Sequence, residues 1–243
     1  MKKTIILISA FFASTLGLIS QDQDVDPVAV QILDRMSDVI GELTSCSFRL
    51  STEVDQTDYQ HGMVKVFDFH EVHFVGPDKM LINSRGKSGH RGFWYNGSTV
   101  TYYSYDENNF GIIDAPGDIV STMDSINLTY GIEFPAADFF YPTFTDDILD
   151  NFDKVKYLGN RWVEGKVCFH ILADSEETSV QIWVADDAFN LPVKLVIMYK
   201  DEQPASQYQA TFSRWEVNPD LPSTIFEFTP PHQANQVTMV PKQ

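Results

Sequence analysis

Apolar residues near the start of the chain recur at helical spacing. They lie on one stripe and are Ile32, Leu33, Met36, Val39, Ile40 and Leu43. Asp26 can cap a helix here, Pro27 suits its first position, and Val25 can pack against Val30. The pattern therefore predicts an amphipathic helix that packs on a sheet.

After this helix the apolar period changes to two. One face of the first predicted strand carries Cys46, Phe48, Leu50, Thr52 and Val54. Further strands are predicted over 63–67, 69–75, 80–83, 91–95, 98–105 and 110–113. Asn96-Gly97 favours a tight hairpin of type I′, a turn that needs positive φ at both central residues.

The middle of the chain returns to helical patterns. Asp118 can cap a helix that carries Ile119, Met123, Ile126 and Tyr130 on one face and ends at Gly131. Two short helical segments are predicted near 136–141 and 146–152. Strands then resume over 155–158, 166–173, 180–185, 193–200 and 208–217.

The order of these elements is helix, sheet, helices, sheet, without alternating βαβ units. This order is typical of an α+β fold with a mostly antiparallel sheet and helices gathered on one side. A sheet of about ten strands that is covered on one face is expected to curl strongly into an open or closed barrel.

The N-terminal residues predict export. Lys2 and Lys3 precede a short apolar run over 5–13, and small and polar residues follow up to Ser20. This is the order of a bacterial secretory signal. We expect a cleaved signal peptide over 1–20, a single domain over 21–243, a periplasmic location and no stable membrane span.

The chain is strongly acidic, with a formal net charge of −17. Removal of Lys2 and Lys3 with the signal peptide makes the mature charge −19. Such a chain repels phosphate backbones, which argues against a nucleic-acid partner.

Cys46 and Cys168 are the only cysteines. An oxidising compartment would allow a disulfide between them. Each also lies in an apolar strand pattern, where a free buried thiol is the alternative. The spacing of the two cysteines along the chain does not decide between a disulfide and two free thiols.

No motif identifies a catalytic residue, a metal site or a cofactor. His70 and His73 are three residues apart in a strand pattern, whereas a His-Glu-x-x-His zinc site needs two histidines on one helical face. Ser84-Arg85-Gly86-Lys87 fits the letters Ser-x-x-Lys but lies in a glycine-rich turn instead of at a helix start. The expectation is a protein that is not an enzyme.

The most informative motifs lie in the C-terminal third. They are Gln181-Ile182-Trp183, Leu191-Pro192-Val193-Lys194-Leu195, Trp215-Glu216-Val217-Asn218-Pro219 and Phe226-Glu227-Phe228-Thr229-Pro230-Pro231. In this order they resemble the LolA-like superfamily of periplasmic lipoprotein carriers, and most of all its branch of predicted periplasmic proteins without an assigned function. Val75-Gly76-Pro77 departs from the pattern, which usually has a basic residue before the proline.

The resemblance implies an unclosed β-barrel whose concave face is covered by helices, with an apolar cavity between them. It also implies a carrier or binding protein for a lipid, an acyl chain or a lipidated protein. The alternative is a non-catalytic envelope sensor or interaction module with a protein partner. The apolar positions predicted to line the cavity are Phe48, Leu50, Val100, Tyr102, Met123, Ile126, Ile182 and Leu195.

Overall fold

The computed structural model describes residues 24–115 and 117–242, and these form two compact units. Unit 1 comprises the chain up to Gly41 together with 138–206, and unit 2 comprises 42–137 together with the chain from Gln207 onward. Each unit is therefore assembled from two separate stretches of sequence. The predicted signal peptide lies outside the described residues, and the single domain over 21–243 stays a prediction.

The described part of the chain contains strands, three α-helices and two short 3₁₀ helices. In chain order they are β1 (Asp24–Val25), α1 (Pro27–Gly41), β2 (Ser45–Asp58), β3 (Gly62–Val75), β4 (Lys79–Gly86), β5 (Gly89–Tyr95), β6 (Thr99–Ser104), β7 (Asn109–Asp114), α2 (Ile119–Tyr130), a 3₁₀ helix (Ala137–Phe140), α3 (Phe144–Asn151), β8 (Lys154–Val163), β9 (Lys166–Asp174), β10 (Thr178–Ala185), β11 (Pro192–Tyr199), β12 (Ser206–Val217), a 3₁₀ helix (Ser223–Phe226) and β13 (Asn235–Gln236).

The sheet of unit 1 has the strand order β1-β8-β9-β10-β11. Its strands pair antiparallel, except that β1 lies parallel to β8. Helix α1 contacts β8 and α3. Four residues of α1 are buried at helical spacing, namely Ala29, Leu33, Met36 and Ile40. The predicted amphipathic helix is confirmed.

The sheet of unit 2 has the strand order β12-β2-β3-β4-β5-β6-β7-β13. It is antiparallel except for the short parallel pair of β13 with β7. In both units the described strands run from one edge to the other without closing on themselves. The α+β class and a mostly antiparallel, unclosed sheet arrangement are thus confirmed.

The strand register of unit 2 aligns apolar side chains across β2 to β6. One row consists of Phe48, Val72, Ile82, Phe93 and Tyr102, each opposite the next. Directly opposed residues project from the same face of a sheet. The first four are buried and Tyr102 is half-buried. This face forms the apolar side of unit 2.

The opposite face of unit 2 is covered in part by the C-terminal segment. The ring of Phe228 lies with its centroid 5.0 Å from Trp94, 5.4 Å from Tyr103 and 5.5 Å from Phe110. Further along this face, Phe67 and Phe69 of β3 are 51% and 59% exposed. Aromatic side chains therefore occur on both faces of this sheet.

Helix α2 begins and ends where the sequence predicts. The carboxylate of Asp118 accepts a hydrogen bond from the backbone N–H of Ser121 at 2.8 Å. Gly131 has φ 66°, and its N–H donates to the carbonyl of Asn127 at 2.9 Å. Glycine suits this position because it adopts left-handed backbone angles without a steric penalty.

Candidate functional site

A groove of unit 1 runs between α1, the β8–β9 pair and the turn that joins β10 to β11. It has a volume of about 270 Å³ and is here called the α1 groove. Its walls are mostly apolar. The lining residues are Val28, Gln31, Ile32, Arg35, Tyr157, Phe169 and Asn190.

The first turn of α1 is tied to β8. The Oδ1 atom of Asp26 accepts a hydrogen bond from the backbone N–H of Val28 at 2.9 Å, which satisfies one of the free donors at the helix start. The N–H of Asp26 donates to the carbonyl of Val155 at 2.8 Å. These bonds hold Val28 and Ile32 at the groove, beside the buried stripe of the helix.

The sheet wall of the groove is aromatic. The rings of Tyr157 and Phe169 meet edge to face, with centroids 6.1 Å apart. The register of β8 shifts between Tyr157 and Asn160, and the Tyr157 hydroxyl donates to the Oδ1 atom of Asn160. The groove therefore has one phenol whose hydroxyl already has a partner and one plain aromatic ring.

Asn190 forms the end of the groove at the β10–β11 turn. Its residue surface is only 3% exposed, and its φ is 49°. The Nδ2 atom donates to the carbonyl of Ala185 at 3.0 Å, whereas Oδ1 accepts no hydrogen bond from any described residue. Buried polar atoms of this kind are few in folded proteins.

A second, more open groove of about 530 Å³ lies along another side of α1. It shares Gln31 and Arg35 with the α1 groove, so these two exposed side chains stand between the two. Asp34 and Asp38 give the second groove acidic edges. The second groove therefore presents a cation at Arg35 and carboxylates farther along the helix.

The eight residues predicted to line a cavity fall in both units and lie outside these grooves. Ile182 and Leu195 are opposed residues of β10 and β11 in unit 1, and both are buried. In unit 2, buried Phe48, Leu50 and Val100 lie on strands with half-buried Tyr102, and Met123 and Ile126 are buried on α2. Their role as a ligand-binding surface stays a prediction.

The histidines and the serine of the motifs considered above lie within strands. His70 is buried and His73 is half-buried in β3. Burial lowers the pKa of both imidazoles, and lowers that of His70 to about 4. Ser84, which was expected in a glycine-rich turn, lies in strand β4 opposite His70. Within residues 24–115 and 117–242, no cluster of His, Cys, Asp or Glu has the geometry to hold a metal ion.

Cys46 and Cys168 are both free, buried thiols in the structure. Burial raises the pKa of Cys46 to about 12 and raises the pKa of Cys168 as well. Cys168 packs with Ala185 and Val193 in a small apolar cluster.

Sequence reasoning did not assign Tyr157, Phe169 or Asn190 to a ligand site. Tyr157 and Phe169 lie in strands that the pattern did predict, but their neighbours across the groove are distant in sequence. Asn190 follows the acidic turn at Asp186-Asp187, a signal for a loop and not for a buried amide. Only the packing of α1 brings these residues together.

A family model described as "Predicted periplasmic protein (DUF2092)" matches residues 29–240. The chain belongs to this family. The resemblance to a branch of predicted periplasmic proteins is thereby confirmed. None of the helices in the described part of the chain is long and apolar enough to cross a bilayer. No protein of curated function matches the chain.

Solved structures are similar in fold at low sequence identity. An uncharacterized conserved protein from Thermus thermophilus shares 11% identity at a TM-score of 0.50, covering 87% of this chain and 99% of that one. LprF from Mycobacterium bovis shares 11% identity at a TM-score of 0.48, covering 86% and 99%. The Mycobacterium tuberculosis lipoprotein LppX shares 13% identity at a TM-score of 0.45, covering 82% and 99%.

Proposed function

We propose that the protein is a periplasmic carrier or binding protein that holds an apolar group: a lipid, an acyl chain or the lipid part of a lipidated protein. The α1 groove carries this proposal. It offers apolar walls at Val28, Ile32 and Phe169 and polar groups at Gln31, Arg35 and Asn190. Ligand sites in proteins are typically concave and mostly apolar, with a few polar groups that orient the ligand.

Each methylene moved from water into such a groove contributes about 0.8 kcal/mol. A chain that fills the α1 groove and continues past Gln31 and Arg35 into the second groove would bury more methylenes than either groove holds alone. The exposed Arg35 side chain is placed to meet an acidic headgroup at this junction.

The proposal also includes an arrangement of the helices on the sheet and a set of lining residues outside the α1 groove. We expect helices to cover the concave face of a curled sheet, with Phe48, Leu50, Val100, Tyr102, Met123, Ile126, Ile182 and Leu195 as its apolar lining. We also expect the mature chain to begin at or near Gln21 after removal of residues 1–20. N-terminal sequencing of protein from the periplasmic fraction checks the second point.

A fluorescent long-chain acyl probe tests the function. The wild type should bind it with a Kd in the micromolar range or below, about −8 kcal/mol or stronger. Ile32→Asp places a charge at the apolar wall of the α1 groove and should abolish binding. If Met123 and Ile126 line the ligand site as proposed, Met123→Asp and Ile126→Asp should also lose probe binding.

Leu128→Asp is the matched control, because Leu128 is on α2 and 75% exposed. It should bind the probe like the wild type. Circular dichroism separates loss of binding from loss of fold. If the wild type binds no apolar probe, the carrier proposal fails.

The second candidate function is an envelope sensor or interaction module. Phe67 and Phe69 favour it, because both project from the same face of β3 and both are more than half exposed. Exposed apolar clusters on soluble proteins often mark contact sites for partners. Replacement of both residues by Ser should then abolish capture of an envelope protein and leave acyl-probe binding unchanged.

A further inference from the structure

The side-chain amide of Asn190 has one satisfied end and one unsatisfied end. Its Nδ2 atom donates to the carbonyl of Ala185 at 3.0 Å, and its Oδ1 atom is buried without a donor among the described residues. Reversing the amide would bring two acceptors, Oδ1 and the Ala185 carbonyl, against each other. The orientation of the amide is therefore determined by Ala185, and the oxygen is the end left over.

The backbone around Asn190 holds this side chain in place. The Oδ1 atom of Asp187 accepts hydrogen bonds from the N–H groups of Phe189 at 3.0 Å and Asn190 at 3.2 Å. Asn190 itself has φ 49°, a left-handed conformation that asparagine tolerates better than most residues. The turn thus fixes where the amide lies at the α1 groove.

Hydrogen-bond donors are few among the other residues that line the α1 groove. Val28, Ile32 and Phe169 are apolar, and the hydroxyl of Tyr157 donates to Asn160. Gln31 and Arg35 are exposed at the outer edge of the groove. A buried water usually makes about three hydrogen bonds, and these walls supply few partners for it.

We propose, on the basis of the carrier function above, that the ligand of the α1 groove carries a hydrogen-bond donor within its apolar part, and that Asn190 Oδ1 accepts it. The donor is a hydroxyl or an amide N–H. The groove then selects a hydroxylated or amide-linked chain over a plain hydrocarbon chain, because only the former pairs the buried oxygen.

A matched pair of probes tests this selection. 1-Decanol has a hydroxyl donor, and decyl methyl ether keeps the oxygen and lacks the donor. The wild type should bind the alcohol about tenfold more tightly than the ether, as measured by displacement of the acyl probe or by calorimetry. Asn190→Gly, in which glycine tolerates the positive φ, should abolish this preference, so that the two probes bind equally.

Asn108→Gly is the control variant, because Asn108 also has a positive φ, of 53°, but lies in unit 2, outside the α1 groove; it should keep the tenfold preference. Since Asn190→Gly also removes the bond to Ala185, a second readout uses the wild type alone. At saturation, the side-chain Nδ2 resonances of Asn190 should shift more with the alcohol than with the ether.

The outcomes distinguish this inference from the function on which it rests. Equal binding of the two probes to the wild type, or a preference that persists in Asn190→Gly, overturns the inference and leaves the carrier function standing. Failure of both probes and of the acyl probe to bind overturns both.

Discussion

The Nδ1 atom of His70 lies 2.8 Å from the hydroxyl oxygen of Ser84, and both side chains are buried on the apolar face of unit 2. The other ring nitrogen, Nε2, lies 3.5 Å from the hydroxyl of Thr52. Burial, together with the positive charge of Arg91, lowers the pKa of His70 to about 4. The imidazole is therefore neutral in the folded protein at neutral pH.

This pKa predicts acid sensitivity. Because the unfolded chain binds a proton at His70 near pH 6.5 and the folded chain only near pH 4, stability should fall as the pH falls through this window. The loss from this residue is about 3 kcal/mol. Urea unfolding at several pH values measures it. His70→Gln should flatten the slope, and His232→Gln, at an exposed position, should not. Equal slopes for all three proteins would contradict the assignment.

Asp138 should change the stability with pH in the opposite direction to His70. Burial, and to a smaller extent the negative charge of Asp147, raises the pKa of its carboxyl to about 6. The folded protein therefore loses stability as the pH rises from about 4 through 6. Asp138→Asn removes the buried charge, so the variant should be more stable than the wild type at pH 8 by about 3 kcal/mol. The difference should vanish below about pH 4, and a constant difference across pH would point to another cause.

The two thiols should be slow to react in the folded protein. Both are buried, and burial raises both pKa values, so little reactive thiolate forms at pH 8. We expect a thiol reagent to modify Cys46 and Cys168 only after unfolding. Intact mass under non-reducing conditions checks the pairing, and a mass lower by two hydrogens would establish the disulfide instead.

The cap of α2 should be measurable by substitution. Asp118→Ala removes the acceptor for the N–H of Ser121 and should lower the free energy of unfolding by about 1 kcal/mol. Asp118→Asn keeps an oxygen acceptor at this position and should retain most of the stability. If the two variants are equally destabilised, the cap hydrogen bond is not the cause.

The features that the sequence predicted well are those with local causes. Asp118 and Gly131 bound α2 because a cap needs only a few neighbouring residues, and Asp26 caps α1 for the same reason. The alternation over β2 predicted its buried face because one side of the sheet is apolar. These signals are complete within a single stretch of chain.

Features with distant causes were predicted less well. Two separate strands were expected around Asp68, but β3 is continuous there, because Asp68 pairs with Thr52 of β2 on one side and with Gly86 of β4 on the other. At the Asn96-Gly97 turn only Gly97 has positive φ, since the Asn96 side chain accepts from Ser98 and Thr99 instead. Both central residues have positive φ at Glu164-Gly165, where φ is 50° and 77°.

The α1 groove could not be derived from the sequence for the same reason. Ile32 belongs to the predicted helix stripe, and Phe169 to a predicted strand, yet nothing in either pattern states that they share a wall. The unsatisfied oxygen of Asn190 depends on its bond to Ala185, five residues earlier in a turn. A turn residue of this type is normally read as exposed.

The interleaving of the two units along the chain constrains the order of events during synthesis. Unit 1 is incomplete until 138–206 has been made, and unit 2 lacks β12 and β13 until the last residues follow. An N-terminal fragment ending near Ala137 therefore contains most of unit 2 but, of the described elements of unit 1, only β1 and α1. Such a nascent chain exposes unpaired strand edges, which favour aggregation until β12 has been made.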